Sequence, residues 1–592
     1  MANSHLSPVR EWPHWPNFDQ FKRQAKELLK SYRAGDANAV AEVKRHEQAP
    51  DPPAFALQDA QRVLARSYGF SSWQKLKSYV QTIQSYRQPL VPRSDDDANK
   101  CLRLACITYF DGDHPSRRER ARRLLAEKPH IVKANIYTAA AGGDVAAVAD
   151  FLTKNVDVHA KGGPFDWEPL LYAAYSRLDT EERTPLLVAR ILLEAGADPN
   201  VGFLWDWGGQ FPCLFTALTG VLGLGEVDVG RGEGPLWQPP HQYCFEFARL
   251  LLEAGADPND NQGLYNRMQY PDDEHLRLLF EFGLGKDQGG PWFKRFFQHW
   301  PRVDTRGPSD ILSYQLRYAV GANYFDRVKL LVENGADVNA TSQHPAGARA
   351  PYAEAVYHGN QEIADYLVAK GAKRIALTTK DAFAAACNRA DADRARELVA
   401  SDPSLLDEAG ELLISAAEEG RANSLRLLVA LGIDVNGEAG RASPLFSAAR
   451  AGQLNTVRLL VELGADVDAR DPDHDATPLG AANYKDQRNV VEYLLQFARI
   501  WDAVRFGGLD RVRTLLRENP ECVNVRDDES CTPLHSTNSD TRHGARIIEL
   551  LIAHGADINA KDNAGRTPAD QMLQNGRRDL AEILRRHGGD SA

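Results

Sequence analysis

Few features of this sequence point to a secreted, membrane-embedded or metal-stabilised protein. Its 592 residues include only 7 cysteines, and none of them forms a Cys-x-x-Cys pair. Scattered cysteines in an odd number favour reduced thiols over a disulfide framework or a zinc site. No run approaches the roughly 18 apolar residues of a membrane span, and the first residues lack the apolar core of a secretory signal. We therefore expect a soluble cytoplasmic protein with no membrane contact.

Motifs for catalysis and cofactor binding are also missing. The sequence has no Gly-x-Ser-x-Gly, His-Glu-x-x-His, phosphate-binding Gly-Lys-Thr/Ser or dinucleotide fingerprint, and its 16 histidines are scattered. The loop at 466–475 is rich in aspartate, but the glycine and glutamate of a calcium-binding EF-hand loop do not fall in register. We expect these carboxylates to bond the loop backbone. The prediction is a protein that is not an enzyme and holds no cofactor or metal.

Charge is unevenly spread along the chain. Residues 1–92 carry 13 Lys+Arg against 8 Asp+Glu, whereas the whole chain has a net charge of -11. An acidic body disfavours nucleic-acid binding, which needs clustered cations, and leaves only residues 1–92 as a candidate for such contact. For the body we predict a protein partner with a basic patch.

One tripeptide recurs after apolar, helix-like segments. Gly-Ala-Asp begins at Gly196, Gly255, Gly335, Gly464 and Gly555, with variants at Gly432 and Gly371. An Asn or Asp follows each Gly-x-Asp two residues later: Asn200, Asn259, Asn339, Asn436, Asp468 and Asn559. Regular recurrence of this kind indicates a repeat array.

Residues 443–468 show how one unit should fold. Ser443 is a helix cap followed by Pro444 at the first helical position, and Gly452 should end that helix in a left-handed conformation. Small apolar residues let a neighbouring helix approach closely, and a second apolar stripe then runs to Gly464. Each unit is therefore predicted to be two antiparallel helices and a hairpin-like loop.

The unit resembles the ankyrin repeat. The match is clearest at Thr532-Pro533-Leu534-His535, and weaker copies begin at Thr567, Glu168 and Phe211. The resemblance implies an all-α ankyrin-repeat solenoid of about a dozen units over residues 93–588, behind a small helical head at 1–92. It also implies that His535 bonds backbone within the fold and that the concave surface binds folded proteins.

Two aromatic-rich segments interrupt the period, at about 202–243 and 260–310. Long ordered insertions are often functional, and Trp and Tyr dominate binding hot spots. The rings could instead form a satellite core that packs the insertions onto the array. The candidate partner-binding residues are Trp205, Trp207, Trp237, Tyr265, Tyr270, Trp292, Phe296 and Trp300.

A break is expected near residue 497, where Phe497-Ala498 replaces Gly-Ala-Asp and the next helix follows directly. This break would divide the concave surface into two binding stretches, roughly 98–375 and 380–588. Another departure is the basic run at 117–123, which we interpret as a solvated helix face.

The head is predicted to be helical over 18–46 and 57–83. Ala65-x-x-x-Gly69 has the spacing of a helix-turn-helix corner, with Lys75 and Lys77 on the following helix. The segment also resembles the helical head found before ankyrin arrays in bacterial proteins. It is interpreted as a cap or docking head, with nucleic-acid reading as the alternative.

The function predicted from the sequence is a non-catalytic scaffold that holds a protein partner on its concave surface or its aromatic insertions. Two alternatives stay open. One is a nucleic-acid-associated regulator acting through the head. The other is an enzyme or small-ligand receptor built in residues 202–310.

Overall fold

The computed structural model describes residues 10, 12–13, 15–46, 51–87, 96–109, 112–180, 184–205, 213–230, 232, 235–286, 291–292, 308–340, 349–407, 409–438, 440–537 and 543–589. They form two compact units. The first comprises Met1–Val229, Leu236–Pro351 and Ala369–Ala372, and the second comprises Gly230–Pro235, Tyr352–Val368 and Lys373–Ala592. Within the described ranges, every helix is too short or too polar to cross a bilayer.

The first unit begins with a four-helix head. Its first helix starts after Asn17, whose side chain accepts a hydrogen bond from the Asp19 N–H at 2.9 Å. Apolar residues spaced by three or four then bury one face of that helix. The helices are α1 (Phe18–Arg33), α2 (Ala37–His46), α3 (Leu57–Ser67) and α4 (Trp73–Tyr86).

Helix pairs follow the head. In each pair the first helix, here called inner, packs on the inner helix of the next pair, and the outer helices between residues 145 and 281 pack on one another in the same way. The helices are α5 (Asp97–Ala105), α6 (Ser116–Glu127), α7 (Ile136–Gly142), α8 (Val145–Thr153), α9 (Pro169–Tyr175), α10 (Thr184–Glu194), α11 (Ala217–Leu222), α12 (Cys244–Glu253), α13 (Asn261–Met268), α14 (Glu274–Glu281), α15 (Pro308–Gly321) and α16 (Phe325–Glu333). An antiparallel hairpin, β1 (Gly202–Trp205) and β2 (Cys213–Thr216), precedes α11.

The second unit is also built of helix pairs. One of its pairs has a 3-10 turn, Pro533–Ser536, in place of an inner helix. The helices are α17 (Pro351–His358), α18 (Gln361–Ala369), α19 (Thr379–Asn388), α20 (Ala392–Ser401), α21 (Gly410–Glu418), α22 (Ala422–Ala430), α23 (Pro444–Arg450), α24 (Leu454–Glu462), α25 (Pro478–Tyr484), α26 (Arg488–Leu495), α27 (Ile500–Arg505), α28 (Leu509–Glu518), α29 (Gly544–Ala553), α30 (Pro568–Gln574) and α31 (Arg578–Arg586).

The local predictions for 443–468 are confirmed. The Ser443 hydroxyl accepts a hydrogen bond from the Phe446 N–H at 3.1 Å, and Pro444 is the first residue of α23. Gly452 and Gly464 adopt φ of 76° and 92°, the left-handed region that ends each helix. The predicted all-α solenoid fold is therefore confirmed.

The recurring Asn joins successive repeats. Asn200 Nδ2 donates to the Gly255 carbonyl at 3.0 Å, and its Oδ1 accepts from the Asp257 N–H at 2.8 Å. Asn339 and Asn559 donate in the same way to Gly371 and Gly588, each at 3.1 Å. We call this side-chain bridge the Asn clamp. It explains why Asn recurs, since one side chain satisfies two backbone groups of the next loop.

Part of the expected insertion at 260–310 is a repeat. Asp260 caps α13, and α13 and α14 form an inner and outer pair that stacks on α11 and α12. Gly283 ends the pair with φ of 96°, and the Gly285 N–H is held by Asn259 Oδ1 at 2.9 Å. The prediction that an insertion begins at residue 260 is therefore wrong, because residues 261–281 form the two helices of a repeat.

The connection near 497 is short. Helix α26 ends at Leu495 and α27 begins at Ile500. Here the Asn of the other repeats is replaced by Asp468, whose Oδ2 accepts from Arg499 Nε at 2.6 Å. Inner helices α23 and α25 pack along their lengths, whereas α25 and α27 do not. Apolar contacts still cross this point, because Leu494, Ala498 and Ile500 belong to one core.

Candidate functional site

The loops between repeats of the second unit form the candidate site. We define the loop surface as residues 432–443, 464–477, 520–532 and 555–567, each joining an outer helix to the next inner element. Asn clamps fix neighbouring loops: Asn436 Oδ1 accepts from the Asp466 N–H, and Asn524 Oδ1 accepts from the Asp557 N–H, both at 2.8 Å. The surface is therefore held at the spacing of the repeats.

This loop surface is strongly acidic. Its four segments contain 13 Asp+Glu and 5 Lys+Arg, a net charge of -8. The outer helices behind them, α22, α24, α26, α28, α29 and α31, contain 7 Asp+Glu and 10 Lys+Arg, a net charge of +3. Net negative charge is therefore concentrated on the loops, whereas the outer helices carry a small net positive charge.

Three of the five cations of the loop surface pair with carboxylates. Arg441 pairs with Glu411 of α21 at 2.8 Å, and Arg470 pairs with Asp475 at 3.0 Å. Arg566 pairs with the buried Asp562 at 2.8 Å. These contacts leave the loops with exposed carboxylates and little positive charge to offset them.

The aspartate-rich loop stabilises itself, as expected. Asp471 is buried, and its Oδ2 accepts from the His474 N–H at 3.0 Å and lies 2.7 Å from His474 Nδ1. Among the described residues no group of three or more His, Cys, Asp or Glu side chains is arranged to hold a metal. Asp471 therefore stabilises the loop in which it lies.

His535 also has the structural role that the resemblance implied. Its Nδ1 accepts from the Thr532 N–H at 3.0 Å, and its Nε2 donates to the Arg566 carbonyl of the next repeat at 3.2 Å. One ring nitrogen thus stabilises the turn in which His535 lies, and the other joins two repeats.

The aromatic candidates of the insertions fall into three groups. Trp205 and Trp292 are buried, and Trp292 Nε1 donates to the Asn200 carbonyl at 2.7 Å. Trp207, Phe296 and Trp300 lie outside the described residues. The half-buried rings are Trp237, Tyr265 and Tyr270.

Two of the half-buried rings, Tyr265 and Tyr270, hold residues 225–226 onto the array, whereas Trp237 belongs to the same insertion. Tyr270 Oη donates to the Gly225 carbonyl at 3.1 Å, and Tyr265 Oη bonds Glu226. The backbone N–H of Trp237 donates to the buried Asp228 side chain at 2.7 Å. Much of their area is committed to packing, so partner binding by these residues stays a prediction.

The basic run at 117–123 differs from the solvated face that was expected. Arg117 and Arg118 are half-buried. Arg117 pairs with Asp113 at 3.0 Å, and Arg118 donates to the carbonyls of Leu236 and Trp237 at 2.7 and 2.9 Å. The prediction was wrong for these two side chains, because Arg117 is held by the neighbouring Asp113 and Arg118 bonds carbonyl groups of a distant insertion that sequence alone does not place there.

An open groove of about 920 Å³ crosses the outer helices α10, α12 and α14. Its floor is apolar, and Leu187 is 48% exposed there. Four glutamates and three arginines surround it, and Arg249 pairs with Glu281 at 2.8 Å. The rim charges nearly cancel, so this groove offers less charge selectivity than the loop surface.

The cysteines are free and mostly buried. Burial raises the pKa of the Cys101 and Cys244 thiols to about 11 and that of Cys387 to about 12. These thiols stay protonated at neutral pH, a state in which they are poor nucleophiles.

Three curated proteins share short similar segments with the chain. They are the serine/threonine-protein kinase VIK of Arabidopsis thaliana, alpha-latrocrustotoxin-Lt1a of Latrodectus tredecimguttatus and the ARF GTPase-activating protein GIT2 of Rattus norvegicus. The identities are 37%, 27% and 33%, over 19%, 19% and 14% of this chain. The matches span only 25%, 8% and 11% of those proteins.

One solved structure and one family model also match parts of the chain. A chain in the solved complex of a predatory endopeptidase from Bdellovibrio bacteriovorus with an immunity protein aligns with 29% of this chain and 96% of its own length. Its identity is 24% and its TM-score 0.24. The family described as ankyrin repeats (3 copies) matches residues 382–471, 441–501 and 500–591. The C-terminal region of this chain, residues 382–591, therefore belongs to the ankyrin-repeat family.

Proposed function

We propose that the second unit is a non-catalytic scaffold whose loop surface binds a protein partner bearing a basic patch. Ankyrin repeats in general mediate protein–protein interaction, and residues 382–591 match that family. The basic partner and the loop surface are proposed because charge is separated, with a net -8 on the loop surface against +3 on the outer helices. Such a field favours cationic partners and orients their approach.

Rigidity supports the same proposal. The Asn clamps and the ion pairs within the loops fix the exposed carboxylates before any partner arrives. A pre-organised surface loses little conformational entropy on binding, so more of the contact energy appears as affinity.

The half-exposed rings of Trp237, Tyr265 and Tyr270 are a second proposed contact area, in the first unit. Tyr265→Phe removes its bond to Glu226 but keeps the ring, whereas Trp237→Ala removes a ring. If these rings bind a partner, Trp237→Ala weakens capture and Tyr265→Phe has a smaller effect.

The test is capture of partners by the full-length protein, compared between two charge variants. The loop variant carries Glu438→Gln, Asp473→Asn, Asp528→Asn and Glu529→Gln, all exposed. The control carries Glu462→Gln, Glu492→Gln, Glu518→Gln and Glu549→Gln, which are exposed on the outer helices. Both lose four negative charges.

A partner that the control retains, that the loop variant loses, and that salt weakens would support the proposal. Equal retention by both variants would count against a role for the acidic loops. Release of the partner by nuclease would favour the alternative of a nucleic-acid-associated regulator instead.

A further inference from the structure

We propose that the N-terminal head binds single-stranded nucleic acid on a surface formed by α1 and α4. The head basic surface is defined by Phe18 and Lys22 of α1 and by Trp73, Lys75 and Lys77 of α4. This site is separate from the loop surface of the second unit and would give the protein a second class of ligand.

The first support is an absence of carboxylates. Residues 60–94 contain no Asp or Glu but six Lys+Arg, although the chain as a whole has a net charge of -11. The solvent-facing side of α4 carries Gln74, Lys75, Ser78 and Gln81, all exposed. Ammonium, amide and hydroxyl groups can donate hydrogen bonds to phosphate oxygens. Helix α4 has no carboxylate that would repel a phosphate.

The second support is the grouping of cations around one ring. Lys22 Nζ lies 5.1 Å and Lys77 Nζ 5.8 Å from the centroid of the Phe18 ring. Asp19 pairs with Lys22 at 2.8 Å and offsets one of these two charges. The remaining positive charge makes a bound anion favourable at this place.

The third support is the aromatic pair itself. The rings of Phe18 and Trp73 lie 5.2 Å apart between centroids, and both are only half-buried. Aromatic rings beside cations suit a flexible strand, because its bases can stack while its phosphates contact the lysines. An acidic protein would use the cations alone, and a duplex keeps its bases stacked inside.

Helix α1 extends the same surface. Arg23, Lys26 and Lys30 are exposed and spaced by three and four residues, so they lie on one side of the helix. At 1.5 Å per residue these three cations span about 10 Å, and the exposed Glu27, next to Arg23 and Lys30 on the helix, offsets one of their charges. That length accommodates more than one phosphate of a single strand.

The test measures binding of the full-length protein to a labelled, mixed-sequence single strand of about 20 nucleotides by fluorescence anisotropy at low salt. The variant is Lys75→Gln/Lys77→Gln. The matched control is Arg513→Gln/Arg517→Gln, which removes two positive charges from exposed positions on α28. We expect about tenfold weaker binding by the head variant and unchanged binding by the control. The affinity of the head variant should also depend less steeply on salt concentration than that of the wild type.

A second variant, Lys22→Gln/Lys26→Gln, should weaken binding in the same way while leaving the thermal unfolding midpoint close to that of the wild type. Three results would overturn the proposal. They are no binding at low salt, equal loss in the control variant, and competition by polyglutamate as effective as by the unlabelled strand. Equal affinity for a duplex of the same sequence would overturn the assignment to single strands.

Discussion

Asn524 and Asp557, 33 residues apart, are joined by a hydrogen bond from the Asp557 N–H to Asn524 Oδ1 at 2.8 Å. The same amide donates through Nδ2 to the Gly555 carbonyl, also at 2.8 Å. Two backbone groups of one repeat thus depend on a single side chain of the repeat before it. Asn200 makes the same pair of bonds to Asp257 and Gly255 in the first unit.

Asn524→Ala should therefore destabilise the protein by about 1–3 kcal/mol, because it removes two hydrogen bonds. Asn489→Ala is the control, since Asn489 is exposed on α26. Urea unfolding followed by circular dichroism gives both values. Equal stability of the two variants would show that the Asn clamp contributes nothing measurable.

Gly464→Ala should cost about 1–2 kcal/mol, because Gly464 has φ of 92° and L-residues avoid this region. Space is not the reason, since nothing lies within 4 Å of an added Cβ. Gly480→Ala, inside α25 with only ordinary contacts around its Cβ, should instead stabilise by about 0.5–1 kcal/mol. The paired unfolding curves should move in opposite directions.

Leu204→Ala should loosen the head. Leu204 is fully buried in a cluster with Phe21, Leu76 and Trp292, and it also forms a backbone bridge with Arg87. Truncation of such a residue typically costs about 2–5 kcal/mol. Hydrogen exchange in α4 should accelerate while α23 is unchanged, and Leu187→Ala, at a 48% exposed site, should leave both rates as they are.

Acid should destabilise the first unit through His241. Burial, with a smaller effect of the Arg177 charge, lowers the pKa of His241 to about 3, against 6.5 in the unfolded chain. Its Nδ1 accepts from the Tyr243 N–H at 3.1 Å, which requires the neutral ring. The folded state thus binds fewer protons, so stability is complete above pH 6.5 and declines as the pH falls towards 3.

At pH 5 this linkage amounts to up to about 2 kcal/mol. The measurement is the thermal midpoint at pH 7.5 and pH 5 for the wild type, for His241→Gln and for His130→Gln, whose histidine is exposed. Only His241→Gln should reduce the pH dependence. An unchanged shift in that variant would assign the acid sensitivity to other groups, such as the buried His275.

The pair Asp468 and Arg499 should couple weakly. The Arg499 side chain is 73% exposed and that of Asp468 24%, so water and salt screen their attraction. A double-mutant cycle with Asp468→Asn and Arg499→Gln should give an interaction of under about 1 kcal/mol. A larger value would mean that this ion pair replaces the Asn clamp in full.

The repeat itself could be predicted because its signals are local. A cap, a proline, a left-handed glycine and the following Asn each act within a few residues, as Ser443 to Gly464 show. Asn524 was missed because no Gly-x-Asp precedes it, and a 3-10 turn from Pro520 brings it to the equivalent place. Its position shortly after an outer helix was the one available signal.

The insertions were harder to interpret because their partners are distant in sequence. The abundant aromatics at 260–310 obscured an ordinary helix pair whose closing signal is Gly283 without the usual alanine and aspartate. Packing of Leu204 and Trp292 against the head joins segments more than 100 residues apart. The negative charge of the loop surface, by contrast, could be predicted in part, because the sequence after residue 92 is acidic as a whole.

The connection at 496–499 sets how far a local opening can spread through the second unit. Repeat arrays behave as chains of neighbours, so cooperativity is only as long-ranged as the weakest interface allows. Helices α25 and α27 do not pack along their lengths, and an exposed ion pair stands where other repeats have the Asn clamp. The helices from α27 to α31 should therefore fluctuate as a separate cooperative block, able to unfold transiently while the repeats before Leu495 keep their structure.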